Sequence, residues 1–83
     1  MSKAEKLLKR IQGKPKDFTW GELTTLLADF GYELVNGSGS SRKFIHPATK
    51  VVLMMHEPHP GNILKAYQVK AVLELLRAER QIP

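Results

Sequence analysis

Tyr32-Glu33-Leu34-Val35-Asn36-Gly37-Ser38-Gly39-Ser40-Ser41-Arg42-Lys43-Phe44-Ile45-His46-Pro47 is the stretch that decides the fold. Before it, apolar residues recur at helical spacing; from Tyr32 onward they do not. Residues 32–35 are aromatic and β-branched over a short run, which reads as a strand. Residues 36–41 are Gly/Ser-rich and read as a turn. Residues 43–46 form a second strand, and Pro47, which has no N–H for a ladder, opens another turn. Val51-Val52-Leu53-Met54-Met55 is a third strand. It is apolar at every position, so it is expected to be central or covered on both sides.

Outward from this stretch the chain is helical. Ser2-x-x-Glu5 has the form of a capping box. Ala4, Leu7, Leu8 and Ile11 follow at i, i+3, i+4 and i+7, one apolar stripe that Gly13 and Pro15 end. Thr19-x-x-Glu22 is a second capping box, followed by Leu23, Leu26, Leu27 and Phe30 at the same spacing, with Gly31 where a left-handed residue would close the helix. On the other side, residues 56–62 (His-Glu-Pro-His-Pro-Gly-Asn) form a stiff loop. A last helix from about Lys65 carries Val69, Val72, Leu73 and Leu76 on one face, with Arg77 and Arg80 near its end. The order helix, helix, three strands, helix predicts an α+β fold. Short turns make the three strands an antiparallel meander, which amphipathic helices must cover. This is the order of a double-stranded-RNA-binding-like α-β-β-β-α sandwich with an extra N-terminal helix. It is read as one domain over 1–83, with a basic helix in 1–16 and the core in 19–79.

Composition narrows the function. With no cysteine, neither a disulfide framework nor a thiolate metal site is available. No apolar run is long enough to span a bilayer, and the first residues lack a signal-peptide core, so a cytoplasmic protein is expected. The formal charge is +5, and its placement is lopsided. Lys3, Lys6, Lys9, Arg10, Lys14 and Lys16 face only Glu5 in residues 1–16, whereas the rest of the chain holds seven groups of each sign. Such an end attracts phosphate or an acidic protein, or serves only as a solvated helix face.

The chain has no P-loop, no dinucleotide-binding glycine motif and no helical His-Glu-x-x-His. Its carboxylates are scattered, so two-metal hydrolysis is not indicated, and no cofactor is expected. The chemistry that remains belongs to His46, His56 and His59. A neutral imidazole can take a proton from a ribose 2′-hydroxyl, and a protonated one can return it to the leaving oxygen. RNA supplies its own nucleophile, so histidines and a cation suffice. Alternation along the second strand puts Arg42 on one face with Phe44 and His46, and Lys43 on the other with Ile45. Phe44 reads as core, which draws Arg42 inward. Gly39 and Ser40 could offer backbone amides to a phosphate.

At these residues the chain resembles the HicA family, toxins of toxin–antitoxin pairs, over roughly residues 21–76. Phe30-Gly31-Tyr32 matches the family's Gly-aromatic helix end. Gly39-Ser40-Ser41-Arg42-Lys43-Phe44 and His46-Pro47 match in spacing its Gly-Ser-His-x-x-Phe and His-Pro, and His59 aligns with a loop histidine. The resemblance implies the same α-β-β-β-α fold, cleavage or silencing of mRNA, and a HicB antitoxin as partner. One position departs: the family's catalytic histidine falls on Ser41, and a serine is no base near neutral pH without activation. Three outcomes stand open. His59, the first candidate, or His56 has taken over the base role; His46 reaches the phosphate from its strand; or the domain binds RNA through Gly39, Ser40, Arg42, Lys43 and His46 without cutting it. A further alternative is a protein-interaction domain whose basic helix docks an acidic partner.

Overall fold

A computed structural model describes residues 3–82 of the chain. Its elements are α1 (Lys3–Gln12), α2 (Trp20–Asp29), β1 (Glu33–Asn36), β2 (Ser41–Ile45), β3 (Val52–His56) and α3 (Ala66–Ala78), in that order. The expected α+β order holds, with the strands in a three-stranded antiparallel sheet of order β1-β2-β3.

The predicted stripes become the core. Leu7 and Ile11 of α1, Leu23, Leu26 and Leu27 of α2, and Val69, Val72, Leu73 and Leu76 of α3 share one buried cluster with Phe18, Trp20 and Phe44. The basic first helix is therefore packed on the rest of the fold. Arg10 fastens it further. Its guanidinium donates to Asp17 Oδ1 at 2.7 Å, lies 3.4 Å from Glu22 Oε1 and sits 5.2 Å over the Phe18 ring. The five lysines of residues 3–16 remain exposed. The Ser2–Glu5 capping box lies outside the described residues. The second box is present: Glu22 N–H donates to Thr19 Oγ1 at 3.1 Å, and Thr19 N–H to Glu22 Oε1 at 3.0 Å. Lys14, rather than Gly13, takes the left-handed conformation after α1 (φ 52°).

Register fixes the faces of the sheet. Phe44 lies opposite Leu34 and Leu53, and Lys43 opposite Val35 and Met54. Opposed residues point the same way and successive ones alternate. Phe44 and Leu53 thus look toward the helices, while Lys43, Val35, Met54 and Val52 look away and stay exposed. The apolar third strand is accordingly not central. β2 is central, and β3 is an edge strand covered on one face only. An all-apolar run reads the same in either setting, because hydropathy records what a side chain tolerates and not what covers it.

The segments around β3 are pinned. Trp20 N–H donates to the Asn62 carbonyl at 2.7 Å, and Leu64 N–H to the Phe18 carbonyl at 2.8 Å. The loop after β3 is thereby tied to the entry of α2. At the C-terminus, Gln81 accepts from Tyr32 Oη at 2.8 Å and donates to the Phe30 carbonyl at 3.2 Å, bringing Ile82 into the core. No helix among the described residues is long and apolar enough to cross a membrane.

Candidate functional site

The hairpin turn between β1 and β2 and the loop after β3 meet at one end of the sheet. Gly37 N–H donates to Ser41 O, Ser41 N–H to Ser38 O, and Gly39 takes φ 57°. This tight turn presents Ser40 toward β3. Glu57 N–H donates to the Ser40 carbonyl at 2.8 Å, carrying the β2–β3 pairing one step beyond His56. The side chains then converge: Ser40 Oγ lies 3.3 Å from His56 Nδ1. That contact lets the hydroxyl donate to an unprotonated Nδ1 or accept from a protonated one.

Next to this pair runs an open groove of about 350 Å³, walled by Ser40, His56, Glu57, Pro58 and His59 on one side and by Lys65, Tyr67 and Gln68 on the other. A smaller recess of about 220 Å³ continues it over Gly39, Ser40, Arg42, Glu57, Pro58 and His59. His56 and His59 are both exposed, so solvent and a ligand can reach both rings. Lys65 supplies a cation to the same groove.

Gln68 is the buried polar residue beneath it. Only 3 % exposed, it accepts from Lys65 N–H at 2.9 Å through Oε1 and donates through Nε2 to the His56 carbonyl at 2.9 Å. It thus joins the start of α3 to the end of β3 and sets the main chain that carries His56. A second basic region lies next along α3: Lys14 and Lys16 border a cavity of about 230 Å³ with Leu64, Ala66 and Val69.

The structure gathers some of the sequence candidates and disperses others. Gly39, Ser40, Arg42, His56 and His59 come together. Arg42 does share the covered side of the sheet with Phe44, which is 1 % exposed. Its guanidinium is bound inside the protein: Nε lies 3.1 Å from Glu57 Oε1, and NH1 donates at 2.8 Å to the carbonyls of both Gly39 and Ser41. It holds turn and loop together. Ser41 stands directly opposite His56 in the ladder. Lys43 shares the open face of the sheet with Ser41 and Met54 but does not line the groove. His46 lies beyond the far end of β2, where its ring meets Tyr32 edge-on at 5.2 Å and it accepts from Thr49 N–H. It takes no part in the groove. Lys65, Tyr67 and Gln68 were not singled out by the sequence reading. One signal was available: Tyr67 falls off the stripe of Val69, Val72, Leu73 and Leu76, so it had no place in the core.

Among the described residues, no group of three or more His, Cys, Asp or Glu side chains could hold a metal ion. An antiparallel β-meander backed by helices, with a histidine-bearing groove at one end, defines a small α+β protein of the double-stranded-RNA-binding-like class. Residues 20–77 match the family described as HicA toxin of bacterial toxin–antitoxin. The chain belongs to that family. No curated protein and no solved structure matches it. The matched residues begin at α2, so α1 lies outside the span, although its side chains are in the core.

Proposed function

We propose that this toxin is a metal-independent endoribonuclease acting on mRNA and held in check by a HicB-like antitoxin. The observation that carries the reading is that His56, His59 and Lys65 open onto one groove. One neutral imidazole removes the proton of a ribose 2′-hydroxyl, and the 2′-oxygen attacks the adjoining phosphorus. The second imidazole, protonated, gives its proton to the 5′-oxygen as the P–O5′ bond breaks. The products are a 2′,3′-cyclic phosphate and a 5′-hydroxyl. Lys65 offsets the charge that builds on the phosphoryl oxygens. Ser40, in reach of His56 Nδ1, orients that ring; Gly39 supports the turn. Lys14 and Lys16, near the start of α3, extend the positive surface along which the phosphate chain would run.

Ser41 is accommodated because His56 faces it across the ladder, which puts an imidazole beside the position where the resemblance places the catalytic histidine. The same serine favours a second reading, in which the domain holds RNA without cutting it.

Incubation of the purified protein with single-stranded RNA in the presence of EDTA distinguishes them. Cyclic-phosphate ends, lost in His59→Ala and in His56→Ala while RNA affinity is kept, are the expected result. Intact RNA with salt-sensitive binding means the second reading is right. RNA affinity that does not change with salt removes both.

A further inference from the structure

Beside the histidine groove lies a second recess of about 270 Å³, walled by Met54 and Met55 of β3, His56, and Tyr67, Gln68 and Ala71 of α3. His56, Tyr67 and Gln68 border both hollows, so the two run into each other. Tyr67 is 64 % exposed and Met54 63 %, the two most exposed large apolar side chains among the described residues. We propose that this recess seats the nucleobase next to the phosphate held at His56 and His59, with Tyr67 as its stacking platform.

The inference rests on the proposed function and deepens it, naming the part of the RNA this wall binds. Three features favour a base. An aromatic face left in solvent by a residue outside the core stripe suits the π-face of an unpaired base. The recess opens into the histidine groove, so a nucleotide whose phosphate lies there brings its base to this wall. The surroundings also favour stacking over reading. Gln68 is the recess's one amide, and both ends of it are engaged, Oε1 by Lys65 N–H and Nε2 by the His56 carbonyl. Met54, Met55 and Ala71 offer no strong donor or acceptor. A base here is gripped by its face, and its edge meets little more than the Tyr67 hydroxyl and the His56 ring. The site therefore tolerates all four bases.

The test uses a short single-stranded 2′-O-methyl RNA, which lacks the nucleophilic hydroxyl and cannot be cut by this route, bound to the full chain. Tyr67→Ala should weaken its binding roughly 5- to 150-fold, the range for loss of one stacked base, while Tyr67→Phe stays within about twofold of the parent. An abasic nucleotide moved along the strand should weaken binding to the parent protein at one position by a similar factor. At that position it should have no further effect on Tyr67→Ala. A parent protein that binds the RNA in a salt-sensitive way, with a flat abasic scan or an unaffected Tyr67→Ala, overturns the base seat and leaves the RNA function standing. No binding by the parent protein removes the proposed function and the base seat together. If Tyr67→Ala keeps RNA affinity and instead loses the antitoxin, the wall belongs to the protein partner and the inference is wrong.

Discussion

The side-chain amide of Gln68 donates to the main-chain oxygen of His56 at 2.9 Å, linking the first turn of α3 to the last residue of β3. The bond is nearly dry on the helix side and joins the two elements that wall the groove. Gln68→Ala removes it and also frees Lys65 N–H. Loss of a satisfied, buried polar pair costs about 1–3 kcal/mol. Chemical denaturation should show a drop of that size, with RNA cleavage falling further than the lost folded fraction explains because His56 is no longer held. Unchanged cleavage per folded molecule would show that Gln68 serves stability alone.

The two histidines should be separable from RNA affinity. General acid and general base contributions are each roughly 10²–10⁴-fold. His56→Ala and His59→Ala should each lower the cleavage rate by that order and change the Kd little. Ser41→His, which adds an imidazole across the ladder from His56, should raise cleavage about 10-fold or more. A Ser41→His protein no faster than the parent would mean that the ladder position does not reach the phosphate.

The lysines should not be equivalent. Lys65 lines the groove, whereas Lys43, on the open sheet face opposite Met54 in the ladder, does not. Lys65→Ala should weaken RNA binding and lower the dependence of log K on log salt by roughly one phosphate contact; Lys43→Ala should leave both alone. Equal losses from the two would carry the RNA path out of the groove and across the sheet as far as β2.

Gly31 is required by its backbone and by its neighbour. It has φ 94°, and a Cβ there would fall 2.9 Å from His46 Nε2. Gly31→Ala should therefore cost more than about 1 kcal/mol, since alanine is strained at positive φ and the ring must also move. Thermal unfolding measures it. A wild-type midpoint would show that the link between α2 and β1 can relax.

Tyr32 gives the fold an alkaline limit. Burial, and secondarily the negative charge of Glu79, push its hydroxyl above the ordinary value of 10.0. The folded state thus favours the protonated phenol. That contribution is whole below about pH 10 and is lost as pH rises through the folded-state value. Stability should fall above pH 10 in the parent protein. In Tyr32→Phe, which lacks the bond to Gln81 and starts less stable, this part of the fall should be missing. Parallel alkaline profiles for the two would assign the loss to other groups.

The sequence by itself determined the elements and their inward faces. Three apolar stripes at helical spacing, a Thr19–Glu22 cap and a change of period at Tyr32 are local signals, and each became the element it announced. It also kept His56 and His59 together, because neighbours in sequence stay neighbours in space, although His56 closes β3 instead of opening the stiff loop that holds His59. What lay across the loop was decided only by tertiary structure. Lys65, Tyr67 and Gln68 reach the histidines because α3 packs back along the edge of β3. The fate of Arg42 hung on Glu57, fifteen residues away, and that of His46 on Tyr32. Periodicity tells which way a side chain points relative to its own strand or helix. It says nothing of which distant element will be there to meet it, and so β3, apolar throughout, gave no sign that it would lie at the edge.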